Sequence, residues 1–206
     1  MPTLISTVEV FSGDSVTVPT DATLAVVFLS ADLSGNGQTL STVAIAGNGA
    51  ATIHQNVPTV SASYERCGAV ATIPITATGS RVVTYTWTAT VTQGPACIIV
   101  FMKDHAATDY VRDSFGVNEA DATVPSGSVA STTTDTVLQC EARYSGNPGT
   151  PAGFTSLLTG GGGSNNARVC SCNSPGASST AVTGNSSSWS ALRSEEHTSE
   201  LQSRSA

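Results

Sequence analysis

The chain has 206 residues and a formal net charge of −7 at pH 7, yet charged residues make up only 11% of it, against about 25% in a typical globular domain. Because 39% of the residues are hydrophobic, the composition argues against intrinsic disorder, which combines low hydrophobicity with high net charge. Lys103 is the single lysine, and nucleic-acid binding is not expected, because neutralising phosphates takes several clustered cations. The length suits one large all-β domain or two small ones.

The sequence also leads to expectations about membrane spans, secretory signals and disulfides. No run of 18 apolar residues occurs, so no membrane span is expected. The N-terminus lacks the basic and apolar regions of a secretory signal. Five cysteines, an odd number, fit a secreted disulfide framework poorly. Reduced, partly buried thiols are the expectation.

The first half of the chain predicts short strands separated by turns. Apolar residues alternate around Val8 and Val16, and Gly13 lies in a turn between the two segments. The continuous apolar run 22–29 predicts a strand that is buried on both faces. After a loop at 34–37, a strand is predicted at 39–46 and ends at Gly47-Asn48-Gly49. Residues 70–76 predict a strand whose Pro74 points to an edge or a bulge.

Residues 81–91 give the clearest strand signal. Apolar residues, among them Tyr85 and Trp87, alternate with threonines, as in a half-buried antiparallel strand. A turn is predicted at Gln93-Gly94-Pro95, followed by an apolar strand at 97–102. Further signals are an alternating segment from Leu138, a glycine-rich loop at 160–163, and a hairpin-like region that ends at residue 192. No stretch keeps a 3.6-residue period, so no long helix is expected.

Regularly spaced strands with turns between them predict an all-β fold: a two-layer antiparallel β-sandwich, jelly-roll-like, forming a single domain over residues 1–192. The two apolar runs and the alternating strands supply the predicted core, which consists of Val26, Phe28, Val83, Tyr85, Trp87, Ile99, Phe101, Leu138 and Cys140.

The order of these features resembles a β-sandwich module that recurs in environmental tailed-phage virion proteins and in some bacterial surface proteins. In that family a buried "LAVVFLS"-like strand precedes a threonine-rich strand with a tryptophan, an apolar strand with a charged loop of the type "SGVDxxxPxRDS", and a "GDLVL"-like strand. Here residues 24–30, 82–90, 97–114 and 135–140 hold those places.

The charged loop matches the family pattern in part. Asp104, Arg112, Asp113 and Ser114 agree with it, whereas Met102-Lys103 stands where the family has Gly-Val and Tyr110 stands where it has Pro. The family's last strand is typically Trp-Ala-Ala-like. Residues 189–192 fit only its opening, so we expect the end of that strand to be missing.

The resemblance implies a non-enzymatic structural or adhesive module of a phage virion, such as a tail, fibre or capsid-surface component. It would assemble in the host cytoplasm, and its partners would be other virion proteins or host cell-surface glycans, with homo-oligomers left open. The alternative is a carbohydrate-binding module of a bacterial surface protein, extracellular or at the cell surface. A hydrolase ranks third. No cofactor is expected.

The densest charged stretch, residues 103–113, is the candidate ligand-binding segment. Its members are Asp104, His105, Asp109, Tyr110, Arg112 and Asp113. The favoured interpretation is structural: Arg112 pairs with one of the acids and the loop closes one end of the sandwich. Three aspartates as calcium ligands and a histidine base with an orienting carboxylate are weaker alternatives. Tyr110 is the best candidate for a glycan contact.

Other motifs carry weaker signals. Cys170-Ser171-Cys172 could begin a thiolate metal site, but it has neither a second cysteine pair nor a nearby histidine, so two thiols of one strand are expected and no metal is predicted. His54 stands alone. The glycine-rich loop lacks the Lys-Ser/Thr of a phosphate-binding loop.

Residues 193–203 resemble a translated sequencing adapter: the codons AGA TCG GAA GAG CAC ACG TCT GAA CTC CAG spell Arg193 to Gln202, and TC- begins the next. Segments of this kind are left out of fold predictions. Residues 193–206 are therefore interpreted as a non-native tail that makes no native contacts.

Overall fold

The computed structural model describes residues 2–59, 66–105, 111, 113–117, 126–130, 132, 134–143, 154–160, 166–173, 180–183 and 188–195. Every regular element in these ranges is a β-strand. The strands are β1 (Thr3–Glu9), β2 (Ser15–Val18), β3 (Leu24–Leu33), β4 (Leu40–Ile45), β5 (Thr52–Val57), β6 (Arg66–Pro74), β7 (Gly79–Trp87), β8 (Val91–Lys103), β9 (Asp113–Val117), β10 (Ser126–Val129), β11 (Thr136–Arg143), β12 (Thr155–Gly160), β13 (Asn166–Asn173), β14 (Thr180–Thr183) and β15 (Ser188–Glu195).

The first eight strands form an antiparallel sandwich. Five of them make the central sheet, in the order β1-β8-β3-β6-β5, and three make the outer sheet, β2-β7-β4. Consecutive strands alternate between the two sheets except at β5, which pairs with β6. This alternation is the strand order of a jelly roll. The predicted all-β, jelly-roll-like antiparallel β-sandwich is confirmed.

One side chain links β5 to the outer sheet, although the two share no backbone ladder. Asn56 Oδ1 accepts a hydrogen bond from Leu40 N at 3.0 Å, and Asn56 Nδ2 donates to Leu40 O at 2.9 Å. The amide thus satisfies both backbone groups of the first β4 residue. Since unpaired edge groups invite pairing with other chains, this contact protects the start of the β4 edge.

The first core lies between the central sheet and the outer sheet. Alternate residues of both sheets point into it, as the two-residue period of strands requires. Its largest fully buried members are Leu29, Ile45, Ile73, Ile99 and Phe101.

The second core lies on the opposite face of the central sheet, which is covered by a third sheet of order β12-β13-β11-β15-β9. This covering sheet stacks on the central sheet with the strands in matching order: β12 packs over β1, β15 over β6 and β9 over β5. Leu138 and Cys140 of β11 pack there against Val26, Phe28 and Met102. Strands β10 and β14 form a separate pair.

The predicted core is confirmed for eight of its nine residues, which are all at most 6% exposed. They divide between the two cores: Val83, Tyr85, Ile99 and Phe101 belong to the first, and Val26, Phe28, Leu138 and Cys140 belong to the second. Trp87 is only half-buried. It is the last residue of β7, where the first core ends, and it also contacts a smaller cluster around Leu33.

One predicted turn is misplaced, and one strand was not predicted. The turn expected at Gln93-Gly94-Pro95 lies inside β8, and the chain turns earlier, after Trp87. The pairing of β8 with β3 shifts register around Asp32, so the irregular residues are absorbed as a bulge, which is where a sheet tolerates glycine and proline. The strand β5, around His54, was not predicted.

The expectation that residues 193–206 make no contacts is wrong for Arg193, Ser194 and Glu195. These residues extend β15, opposite Leu138, Val137 and Thr136 of β11. The reason is physical: a ladder is built from backbone N–H and C=O groups, which any residue other than proline supplies. Residues 196–206 lie outside the described ranges.

Stability measurements can test the two-core arrangement. We expect Phe28→Ala in the second core and Phe101→Ala in the first each to lower the free energy of unfolding by about 3–5 kcal/mol, the cost of a cavity left by a buried aromatic ring. Trp87→Ala should cost less, because its ring is partly exposed. Thr84→Ala, on the exposed face of β7, is the control and should stay within about 0.5 kcal/mol of wild type. Denaturant unfolding measures all four, and a near-neutral Phe28→Ala would contradict the second core.

Candidate functional site

Lys103 and Asp104, the first charged groups of the candidate segment, lie at one end of the sandwich, where β8 ends and β3 begins. Leu24 pairs with Met102 there, and Thr23 N donates to Met102 O at 2.9 Å. Because β6 also ends at this point and leads into β7, the first residues of β7, including Arg81, belong to the same end. We call this the charged end, defined by Asp21, Arg81, Lys103 and Asp104.

Lys103 is neutralised by an acid from outside the predicted loop. Its Nζ lies 2.7 Å from Asp21 Oδ2, and both side chains are exposed. The hydrogen bond from Lys103 lowers the pKa of Asp21 below its ordinary value, and the same bond raises the pKa of Lys103. Exposed pairs of this kind stabilise a fold only slightly. The contact fixes the β2–β3 connection against the end of β8.

Asp104 turns the chain at the end of β8. Its φ is 58°, the left-handed region that Asp and Asn tolerate better than other side chains. No other non-glycine residue in the described ranges has a positive φ. Asp104 is exposed, and His105 after it is half-buried. The conformation of Asp104 therefore ends the strand, a structural role.

The other predicted site residues are placed only in part. Asp109, Tyr110 and Arg112 lie outside the described residues, so the expected pairing of Arg112 with an acid stays a prediction. Asp113 begins β9 opposite Ser194.

The two described ends of the segment do not lie side by side. β9 lies beside β5, and β3 and β6 separate β5 from β8, three strand spacings or about 14 Å. Next to Asp113, Ser114 accepts two hydrogen bonds from Gln55 Nε2 of β5, both 2.9 Å, through its backbone oxygen and its hydroxyl. Gln55 thereby links the covering sheet to the edge of the central sheet.

A feature that the sequence analysis missed is the pair of turns at the charged end. Asn48, in the β4–β5 turn, accepts hydrogen bonds at its Oδ1 from Thr76 N and Ala77 N, both 2.8 Å. The Gly47-Asn48-Gly49 motif signalled the turn itself. The sequence around Asn48 could not reveal its contacts with Thr76 and Ala77, which lie 28 and 29 residues further along the chain. Arg81 belongs to the same region, because its Nε donates to Thr78 O at 2.9 Å.

Hydroxyl and amide groups hold the loops at the opposite end of the sandwich. Thr59 Oγ1 donates to Gly35 O at 2.7 Å and accepts from Gln38 N at 3.0 Å. Thr88 Oγ1 donates to Gln38 Oε1 at 2.9 Å. These bonds fix the β3–β4 loop to its two neighbouring connections.

Near this end, the first core contains polar atoms of aromatic side chains. Tyr85 and Trp87 make an edge-to-face contact with ring centroids 6.2 Å apart. Tyr85 OH and Trp87 Nε1 are buried and have no hydrogen-bond partner within the described part of the chain. Burial raises the pKa of Tyr85 to about 12, so its hydroxyl stays protonated at neutral pH. The two rings therefore contribute apolar packing to the first core.

Cys67, Cys97 and Cys140 are buried and form no disulfide. Burial raises the pKa of the Cys97 thiol. Because the thiolate is the nucleophilic form, such a thiol is inert. Cys170 and Cys172 lie in β13, and the structure does not describe their side chains. Among the described residues, no three His, Cys, Asp or Glu side chains are grouped so as to hold a metal ion.

The exposed side of the outer sheet carries hydroxyl groups and no charge. Thr42 Oγ1 and Thr86 Oγ1 lie 2.7 Å apart across β4 and β7. We call this surface the hydroxyl face, and its exposed members are Ser15, Thr17, Ser41, Thr42, Ser80, Thr84 and Thr86.

Comparisons with protein-family models, curated proteins and solved structures found no match to this chain. A search of the described residues for a helix long and apolar enough to cross a membrane found none.

The Asp21–Lys103 contact can be tested through the pKa of the Asp21 carboxyl group. The folded-state pKa of Asp21 is depressed, so the contact stabilises the fold above the unfolded-state pKa, about 3.9, and that contribution is lost as the pH falls through the folded-state value. In Lys103→Gln the pKa of Asp21 should rise to its ordinary range. In Arg81→Gln, the control that removes a cation not bonded to Asp21, it should not change. Carbon-detected NMR of the Asp21 carboxyl group measures both, and equal pKa values in wild type and Lys103→Gln would refute the contact.

Proposed function

We propose that the chain is a non-enzymatic structural or adhesive module of a phage virion, a component of the tail, a fibre or the capsid surface. The observation that carries the proposal is the jelly-roll order of β1 to β8. Double-sheet jelly rolls recur in viral capsid and lectin domains, and both kinds of domain work by presenting a rigid surface.

The surface of the outer sheet supports this proposal. The hydroxyl face is neutral although the chain carries a net charge of −7, so a partner surface can approach it without burying an unpaired charge, which is costly. Serine and threonine hydroxyls both donate and accept hydrogen bonds. They suit contacts with another virion protein or with the hydroxyl groups of a host glycan.

The layered core supports the same proposal through rigidity. Two apolar cores flank the central sheet, and close-packed interiors have low compressibility and transmit strain. A module of this kind holds its surface loops in fixed positions. The virion would be assembled in the host cytoplasm, with other virion proteins or host cell-surface glycans as partners.

Mass spectrometry of purified particles tests the proposal. Trypsin cleaves after Arg81 and Lys103, so it releases residues 82–103 as one diagnostic peptide. Virus particles from a sample that carries the gene are banded by density and treated with nuclease before digestion. We expect the peptide in the band that holds the capsid proteins and protected DNA.

Cell envelopes from the same sample, digested in parallel, give the opposing outcome. Finding the peptide there and not in the particle band would sink the virion proposal and favour a carbohydrate-binding module of a bacterial surface protein. Host ribosomal peptides in the particle band would reveal carry-over and set the background for both fractions.

A further inference from the structure

The two turns that meet at the charged end form a rigid base. Asn48 Oδ1 holds the backbone N–H groups of Thr76 and Ala77. Gly49 N donates to Pro74 O at 3.1 Å. Gly47 has a φ of 78°, a conformation that strains other residues. Thr76 Oγ1 also donates to Gly47 O at 3.4 Å, so four hydrogen bonds clamp the β4–β5 and β6–β7 turns to each other.

Arg81 is oriented on this base. Its Nε donates to Thr78 O at 2.9 Å, and its guanidinium lies over Gly47, where a Cβ atom would stand 3.6 Å from Nη1 and 3.9 Å from Cζ. One of the five guanidinium donors is thus used to fix the plane of the group. A preordered planar fork loses less conformational entropy when it binds a ligand than a free side chain does.

No acid in the described part of the chain neutralises the charge of Arg81. Arg81 forms no ion pair with any residue in the described ranges, whereas Lys103 at the same end is bonded to Asp21. Arg81 is half-buried, and long charged side chains commonly lay their stems along apolar surface while the head group stays in water. That tendency does not account for an ordered guanidinium without an acid partner among the described residues, in a chain of net charge −7.

We infer that the Arg81 guanidinium binds the carboxylate of an acidic sugar, an inference that rests on the proposed adhesive function and names its ligand class. Guanidinium and carboxylate groups form the strong, charge-assisted hydrogen bonds. Exposed hydroxyl groups on Ser80, next to Arg81, and on Thr76, in the β6–β7 turn, can hydrogen-bond to a sugar ring. Of the two acids at the charged end, Asp21 is already paired with Lys103.

A titration with a simple acidic sugar tests the inference. The 15N-labelled full chain is titrated with glucuronate, and with glucose as the neutral match, while the Nε–Hε NMR signal of Arg81 is followed. We expect glucuronate to shift this signal saturably and glucose not to shift it. Arg81→Gln should weaken glucuronate binding, followed on neighbouring backbone amides, by about tenfold or more, the loss expected for a hydrogen bond between charged groups.

Lys103→Gln is the matched control, because it removes the acid-paired cation of the same end, and it should leave glucuronate affinity within about twofold of wild type, since exposed pairs contribute little. Equal shifts with glucose and glucuronate, no shift at all, or unchanged affinity in Arg81→Gln would each overturn the inference. Circular dichroism of Arg81→Gln checks that its fold is retained.

A cell-binding measurement separates this inference from the proposed function. If the labelled chain binds host cells and Arg81→Gln binds equally well, the acidic-sugar inference fails while the adhesive module stands. If the diagnostic peptide is absent from virions, the virion proposal fails, and the glucuronate titration still decides the role of Arg81.

Discussion

Burial of the central sheet on both faces is the constraint on which the rest of the structure depends. All ten residues of β3 are buried, so this strand cannot show the alternation of apolar and polar residues that a two-layer sandwich expects. Its even-numbered residues, such as Phe28, and its odd-numbered residues, such as Leu29, belong to different cores. The outer sheet covers one face, and β9 to β15 must supply the cover for the other.

The polar side chains at the surface of the described chain are held mostly at edges and strand ends, whereas Thr72 and Gln139 are buried polar residues inside the sheets. Inside the central sheet the buried Thr72 hydroxyl lies 2.7 Å from His54 Nε2 on edge strand β5, and Gln55 of the same strand reaches the covering sheet. Cations held by hydrogen bonds, Arg81 and Lys103, stand where strands begin or end. A ligand site on such a scaffold is therefore expected on the loops at the ends of the sheets, as in other β-sandwiches.

The sequence predicted the fold class and most of the core because both depend on local patterns. The apolar runs of β3 and β8 predicted doubly buried strands, and alternation around Val83 predicted a half-buried one. The sequence pattern could not predict the division into two cores, because periodicity shows which residues are buried and does not show which sheet covers them. Gly94 and Pro95 misled for a similar reason: they signal irregular backbone, which here is a bulge within a strand and not a turn.

The candidate site was harder to predict than the fold. Asp104 and His105 were found because charges cluster in the sequence, yet the acid that pairs with Lys103 is 82 residues away. The Asn48 clamp and the orientation of Arg81 likewise depend on turns that meet only in the folded chain. Contacts of this kind leave no local signal, and a single sequence without tertiary information gives them no greater weight than any other exposed arginine or asparagine.

Native-state hydrogen exchange on Leu138→Ala tests most directly the claim that the central sheet depends on the covering sheet. Leu138 is fully buried in the second core but belongs to β11, and its truncation should cost about 2–5 kcal/mol. If the layers form one cooperative unit, the slowest amides of β3 and of β11 should lose the same free energy of protection. Loss of protection in β11 with β3 unchanged would show that the sandwich of β1 to β8 is stable without its cover, which would contradict the account.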